Sequence, residues 1–312
     1  MQNISNSSLN RNPLISPSFM QKVFLVQALV GIFLYVNCLM IFTFLKKEVF
    51  REDTRYILFA QTLFVDSAFM VLTDIGVVGS FFHDSRNCTA MSFLSVCSPL
   101  TLVAMCLERY VAICMPLRHA DISTSRTRFS GFVIIWSVSF IAPAFTAIAY
   151  ISVNPSSAFS YVVCSVEVML EKEWQAQVRA VILLLLFLFM LAVIVFTYIK
   201  IMIAARAASS EKKKSTSKSL RTVLLHGFQL FLSIVQFITP YIEMPFWKLD
   251  VMLFINVRYS NFIVFILAPR CLSPLIYGMR DEKFFLVLRH YALWGFNGFN
   301  HSLLIQWKIR PS

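Results

Sequence analysis

Charge is scarce in this sequence. Only 14% of its 312 residues are Asp, Glu, Lys or Arg, against about 25% in a typical soluble domain. Apolar residues make up 58%, and the mean hydropathy is +0.70. A globule of this length cannot bury so much apolar surface and keep a wettable exterior, so a single soluble domain is excluded. A disordered chain is excluded too, because disorder needs the opposite composition. The patterns of common catalytic centres are also missing. There is no H-E-x-x-H and no G-x-S-x-G, and the five histidines are scattered, which speaks against an intramembrane enzyme. Acidic residues are outnumbered, 16 against 28 Lys+Arg, for a formal charge of +12. That excess fits either a nucleic-acid partner or one face of a membrane, and the positions of the charges decide between them.

What the chain has in abundance is long apolar runs. A helix needs roughly 20 mostly apolar residues to cross about 30 Å of hydrocarbon. Seven stretches meet that length: 23–45, 56–82, 88–114, 129–151, 176–204, 220–244 and 251–277. The fifth is the plainest, with no polar residue from Val181 to Phe196; the third is the least apolar, holding Ser92, Ser95, Ser98, Pro99 and Thr101 in its first half. Barrel strands would be about half as long and strictly alternating, so an all-α bundle of seven transmembrane helices is expected. Residues 1–18 are polar with no apolar core, so the first helix is expected to act as its own insertion signal.

The basic residues sort by face. Connections 46–55, 115–128 and 205–221 and the tail from Arg280 hold 18 Lys+Arg; the N-terminus through Lys22 and the other connections hold 5. The positive-inside rule makes the first set cytoplasmic. The expected layout is an extracellular N-terminus over residues 1–22, a helical domain over 23–279 and a cytoplasmic tail over 280–312, with a short amphipathic helix in 281–290. The sequons at Asn3, Asn6 and Asn87 then lie outside as glycosylation sites. The run Lys212-Lys213-Lys214 with Lys218 reads as a topology signal and a contact with anionic membrane lipids. No aromatic platform accompanies it, so no nucleic-acid partner is expected.

An ionisable residue inside a membrane helix is a functional candidate by default. Those present are Asp66, Asp74, Glu108, Arg109, Arg179, Glu243, Arg258 and Arg270. Glu108-Arg109-Tyr110 ends the third run and continues Val-Ala-Ile-Cys-Met-Pro-Leu-Arg-His. Asn37 lies in the first run, Asp66 within Leu-Phe-Val-Asp in the second, Trp136 in the fourth and Pro240 in the sixth; the seventh ends Ser273-Pro274-Leu275-Ile276-Tyr277. In this order the landmarks resemble those of rhodopsin-like G-protein-coupled receptors, with [DE]-R-Y at the third helix and N-P-x-x-Y at the seventh. The strings Arg55–Phe59, His226–Leu230 and Pro269–Pro274 with Arg280-Asp281 resemble a divergent fish subgroup of odorant receptors. The resemblance covers roughly residues 20–290.

The resemblance implies a receptor that takes a small-molecule ligand from outside and couples to a heterotrimeric G protein, of the stimulatory type, inside. It implies a switch made of Glu108, Arg109, Tyr110, Pro274 and Tyr277, with Arg109 held at rest by Glu108 or by a partner on the sixth helix such as His226. Two plainer readings remain, a snorkelling pair at Glu108-Arg109 and a structural His226. In the family, the carboxylate matching Asp66 often holds sodium, with Ser98 at a further position of that site. Arg270, one turn before Pro274, is here expected to pair with Asp66 and replace the ion, because either charge alone in a low dielectric is costly. The other reading places Arg270 among headgroups or water. Ser273 stands where the family has Asn.

Seven cysteines are present, and only Cys88 and Cys164 fall outside, so they are the one plausible disulfide. The resemblance likewise implies a bridge from the third helix to the second outer loop. Cys88 precedes Arg109 by about one turn less than the family spacing, which leaves Cys97 as an alternative partner. A ligand pocket is expected among the third, fifth, sixth and seventh helices, lined by Met91, Ser92, Ser95, Val96, Phe237, Tyr241 and Tyr259. Ordinary helix packing is the competing reading for each. With no acid in the outer half of the third helix and no Lys in 251–279, a simple amine counter-ion there and a retinal linkage are not expected. Arg179 and Arg258 suit either an anionic ligand or snorkelling. No cofactor or metal is expected. A non-olfactory receptor of the same class is the alternative function. A channel or transporter is disfavoured by the lack of internal repeats and of polar stripes through several helices.

Overall fold

A computed structural model describes residues 17–78, 85–153, 172–207, 210–249, 251–278 and 284–289. Every regular element among them is helical: α1 (Pro17–Lys46), α2 (Glu48–Glu52), α3 (Thr54–Val78), α4 (Ser85–Cys114), α5 (Pro116–Ile122), α6 (Ser125–Val153), α7 (Glu173–Ala207) and α8 (Ser210–Leu249). A seventh long helix has three parts, α9 (Val251–Asn261), a π-helical turn (Phe262–Leu267) and α10 (Ala268–Gly278). A last helix, α11, covers 284–289.

Six of these helices are long and apolar enough to cross a membrane. The remaining apolar run lies on α8, where polar residues shorten the continuous apolar part to Val223–Thr239. The seven runs therefore correspond to seven long helices. α8 starts ten residues before the run expected at 220 and carries Lys212–Lys214 within it. Lysine is a good helix former, so a helix nucleated in the membrane propagates into the polar segment. Its 40 residues reach about 60 Å, roughly twice the hydrocarbon thickness.

The third run, the least apolar, forms the central helix. α4 packs against α3, α6, α7 and α8. Its hydroxyls therefore face protein rather than lipid, and several are satisfied within the helix. Ser95 Oγ donates to the Ser92 carbonyl at 2.7 Å and Thr101 Oγ1 to the Cys97 carbonyl at 2.8 Å. Pro99 sits inside α4, where its missing N–H loosens the ladder; such back-bonding hydroxyls are what a bent helix accommodates.

Apolar side chains gather in three clusters. One lies among α4, α6, α7 and α8, around Val96, Leu100, Leu183, Phe187, Met190 and Leu230. A second, at the end of the bundle carrying Glu108, joins Met40, Phe50, Tyr56, Phe59, Met105 and Phe284. A third, toward the other end, joins α1, α3 and the π turn through Val30, Phe33, Phe69, Met70 and Leu267. α11 buries Phe284 and Val287 and leaves Phe285 and Leu286 exposed. Its Phe284 ring lies 5.2 Å from Phe50 and 5.8 Å from Phe59, so this amphipathic turn seals the Glu108 end.

Candidate functional site

The most polar part of the interior is built where α3, α4, α8 and the seventh helix meet. Asp66 on α3 and Arg270 on α10 are 1% and 4% exposed. Arg270 Nε lies 3.6 Å from Asp66 Oδ1, within ion-pairing range but longer than a hydrogen bond. Arg270 also uses its other groups. Nη1 donates to Gln236 Oε1 on α8 at 3.2 Å and to the Ile266 carbonyl at 2.8 Å. Its guanidinium carbon lies 3.8 Å from the centre of the Phe69 ring, a cation–π contact in a dry setting. Ser98 on α4 borders the same carboxylate. Beside it, Asn37 Nδ2 donates to Ser67 Oγ at 3.0 Å, tying α1 to α3. A buried guanidinium thus touches a carboxylate, an amide, a carbonyl and a ring, which is how a desolvated charge is made tolerable.

The π turn explains part of this placement. Its bonding is one residue wider than an α-turn, and the Ala268 N–H reaches back to the Ile263 carbonyl. Arg270 follows directly, and side chains on a helix lean toward its N-terminus. The Arg270 head is thereby brought back beside Ile266 and level with Gln236.

At the Glu108 end the groups are more exposed. Glu108 Oε1 lies 3.3 Å from His119 Nε2 on α5 and 4.0 Å from Arg55 Nε on α3. Arg55 is held more tightly by Asp53, with Nη2 2.7 Å from Oδ2. Burial pushes the Asp53 carboxyl upward, but hydrogen bonds from the Arg55 side chain and backbone outweigh it and leave Asp53 below the ordinary carboxylate value. Arg128 Nη1 donates to the Glu52 carbonyl at 2.6 Å, and Thr54 bonds Ser123. The connections around α2 and α5 are therefore fastened to each other. Glu108 engages two basic side chains that the motif alone did not bring forward. Arg109 and Tyr110 are half-buried, and the Tyr110 ring stands edge-on to Phe196 at 5.6 Å. His226 is fully buried.

The residues expected to line a ligand pocket do not form one group. Met91 and Tyr259 pack with the cluster of α1, α3 and the π turn. Val96 and Phe237 belong to the cluster of α4, α6, α7 and α8, with Phe237 5.0 Å from Phe187. Ser95 is buried and spends its hydroxyl on Ser92. Lys22 bonds Asn256 and lies over the Tyr259 ring at 5.9 Å. Arg179 is buried, and Arg258 lies over Phe254 at 5.7 Å. The side chains of Tyr241 and Tyr277 lie outside the described residues, as do Cys164, Asn3, Asn6 and the side chain of Asn87; Pro274 is buried. Cys88 is disulfide-bonded, whereas Cys97 is a free, buried thiol and so is not its partner. Among the described residues no His/Cys/Asp/Glu group is placed to hold a metal.

Gln229 and Gln236 went unnoticed in the sequence because neither ionises. Gln229 Nε2 donates to the Pro269 carbonyl at 2.7 Å. A signal was present nonetheless: His226, Gln229, Ser233, Gln236 and Glu243 recur at alternating helical steps along one run. This is a polar stripe, though on one helix rather than several.

Comparison with known proteins agrees with this architecture. Residues 36–277 match the family described as 7 transmembrane receptor (rhodopsin family). The chain is 57% identical over 307 residues to "Odorant receptor 131-2" of Danio rerio, covering 95% of this chain and 93% of that one. It is 33% identical over 98 residues to "Olfactory receptor 51E2" of Rattus norvegicus and, equally, of Mus musculus, covering 28% of this chain and 30% of each relative.

Proposed function

This chain belongs to the rhodopsin family of seven-transmembrane receptors, a family of receptors rather than of enzymes, and we propose that within it the protein is an odorant-type receptor. It is a multi-pass plasma-membrane protein. The observation that carries the odorant reading is the 57% identity, over nearly the whole chain, to a protein named as an odorant receptor.

In this reading the Glu108 end is cytoplasmic and meets a stimulatory G protein. Glu108, Arg109, Tyr110, His226, Pro274 and Tyr277 make the switch there. The opposite end opens outward to a small organic molecule, near Met91, Ser92, Ser95, Val96, Phe237, Tyr241 and Tyr259. An apolar, aromatic lining with few polar groups suits such a ligand. Cys88 pairs with Cys164 to hold the outer end of α4, and Asn3, Asn6 and Asn87 carry glycans. The ligand acts by binding the active conformation more tightly than the resting one; equal affinity for both would shift nothing. Arg270 fills the space beside Asp66 that a sodium ion would need. Exchanging sodium for choline at equal ionic strength should therefore leave the melting temperature unchanged, and a stabilisation specific to sodium would count against this assignment.

The test of function is a screen of small organic odorants on transfected cells, with cAMP and membrane current read in parallel. A ligand-dependent rise in cAMP that requires the G protein supports the receptor reading. A current that persists without any G protein would support a channel instead.

A further inference from the structure

Of the acids expected inside the span, Asp66 meets Arg270, Glu108 meets His119 and Glu243 meets Asn261. Asp74, on α3, is used by neither polar site. It is half-buried, its Oδ1 is fully buried and accepts no hydrogen bond, and among the described residues no basic side chain lies within ion-pairing distance of it. A second orphan stands nearby on α1, where the buried Nε2 of Gln27 finds no acceptor among the described residues. The bond from Asn37 to Ser67 fixes how the two antiparallel helices face each other. Seven residues return a helix to nearly the same face, about 10.5 Å further on. Counted from that bond away from the Glu108 end, Val30 on α1 and Asp74 on α3 therefore oppose each other. Gln27 lies one turn beyond Val30 on the same face. Val26, Val30 and Met70 belong to one apolar cluster, with Tyr259 and Met91 packed against it. Lys22, further out on α1, is turned instead to Asn256 and Tyr259 of the seventh helix.

A buried acceptor and a buried donor, both unmet, are costly until something bridges them. A hard metal ion would need about six oxygens, and among the described residues no His/Cys/Asp/Glu group is placed to hold one. An ammonium fits Asp74, and an oxygen beside it fits Gln27. We propose that the α1–α3 junction around Gln27 and Asp74 binds a cationic amphiphile, with an ammonium group, an oxygen on the neighbouring carbon and an apolar tail. The ammonium donates to Asp74 in a charge-assisted bond. The oxygen accepts from Gln27 Nε2, and the tail lies along Val26, Val30 and Met70. An amino alcohol and the headgroup of an ethanolamine lipid share this chemistry. The site is distinct from the lining expected at Val96 and Phe237, which belong to another cluster. Binding itself needs no assignment of sides; that a free amine arrives from outside rests on the receptor reading.

The experiment uses the full-length protein in nanodiscs of phosphatidylglycerol, which carries no ammonium, and reads the melting temperature as a vicinal amino-hexanol is titrated in. That compound should bind about tenfold more tightly than vicinal hexanediol, which keeps the oxygen and loses the charge. Asp74→Asn should erase this preference. Gln27→Leu should weaken the amino-hexanol about fivefold and leave hexylamine, which has no oxygen, unchanged. Asp74→Lys should prefer the corresponding hydroxy-hexanoate, a reversal that a merely damaged fold would not produce. Phosphatidylethanolamine mixed into the nanodisc separates the two sources. If it stabilises wild type but not Asp74→Asn, and blocks the amino-hexanol, the occupant is the lipid; if the titration is unchanged, the occupant is a free amine. An amino-hexanol that binds no more tightly than the diol, or that keeps its preference in Asp74→Asn, would overturn the proposal. If amines bind as described but none raises cAMP in transfected cells, the site stands and the failure lies with the odorant reading alone.

Discussion

The inward stripes of α7 and α8 differ in how much polar chemistry they carry through the middle of the bundle. On α7 the buried positions are Gln175 and Arg179 near its start, then Leu183, Phe187, Met190, Ile194, Thr197 and Ile201; on α8, among the described residues, they are Val223, His226, Gln229, Leu230, Ser233, Thr239 and Glu243. The α7 positions step by three and four residues, as a helix facing one neighbour must. From Leu183 on, the α7 stripe is apolar but for Thr197 and packs into the cluster around α4. The α8 stripe is mixed: Val223 and Leu230 join the same apolar cluster, while Gln229, Gln236 and Glu243 form directional bonds to the seventh helix. Lipid tails are as apolar as leucine, so hydrophobic burial does not drive helices together in a membrane; packing and interhelical hydrogen bonds do. Through the middle of the bundle α7 is therefore held by shape, and α8 by shape together with a few specific partners.

The contrast breaks most sharply at Arg270. Arg270→Met should destabilise the receptor by about 3–5 kcal/mol, because Asp66 is left buried without its counter-charge. Adding Asp66→Leu should recover most of the loss, since the costly species is the lone charge. Melting in detergent measures both, and normal stability and surface delivery of the single variant would refute the pair. On α7 the corresponding test is shape. Met190→Ala should cost about 2–5 kcal/mol by leaving a cavity, whereas Leu184→Ala on its exposed face should stay within about 0.5 kcal/mol. Equal losses at the two positions would mean that packing does not hold α7. Gln229→Leu is next, at about 1 kcal/mol, as the Pro269 carbonyl loses one donor.

The smallest effect is expected at Asp53, outside the span. Its folded pKa lies below the unfolded value of 3.8, so its contribution is complete above that value and is lost as pH falls through the folded pKa. Because Asp53 and Arg55 are partly solvent-exposed, the gain should be below about 1 kcal/mol. Asp53→Asn should flatten that part of the melting profile between pH 5 and pH 2, and an unchanged profile would show that the bond to Arg55 contributes nothing.

These two helices also show what could be read from the residues. α7 was legible as a spanning helix, because an unbroken apolar run has one solution in lipid, although the burial of Gln175 and Arg179 at its start was not. Asp66 and Arg270 were legible as partners, because two buried charges of opposite sign near one level need each other. Gln229 and Gln236 were not, since a neutral amide in a span raises no alarm until its partner is seen. The partners of Glu108 depended on where α5 and the start of α3 fold back, which no local pattern fixes. The π turn left no trace, because Phe-Ile-Val-Phe-Ile-Leu suits an α-helix equally well. For Met91, Ser92, Ser95 and Val96 the sequence offers only their distance along the helix from Arg109. That locates a level along a helix but not the neighbour each side chain meets, and Met91 and Val96 accordingly fall into different clusters.

The ring of Phe284 has a consequence for synthesis. It is among the last described residues to emerge from the ribosome, yet it packs on Phe50 and Phe59 from the first quarter of the chain. All seven long helices are made before that patch can be covered. Until then the nascent protein shows an aromatic surface at one end, the kind of transiently exposed apolar patch that makes an unfinished chain prone to aggregate. A stop codon just ahead of Phe284 would leave every membrane helix in place and the patch of Phe50 and Phe59 uncovered.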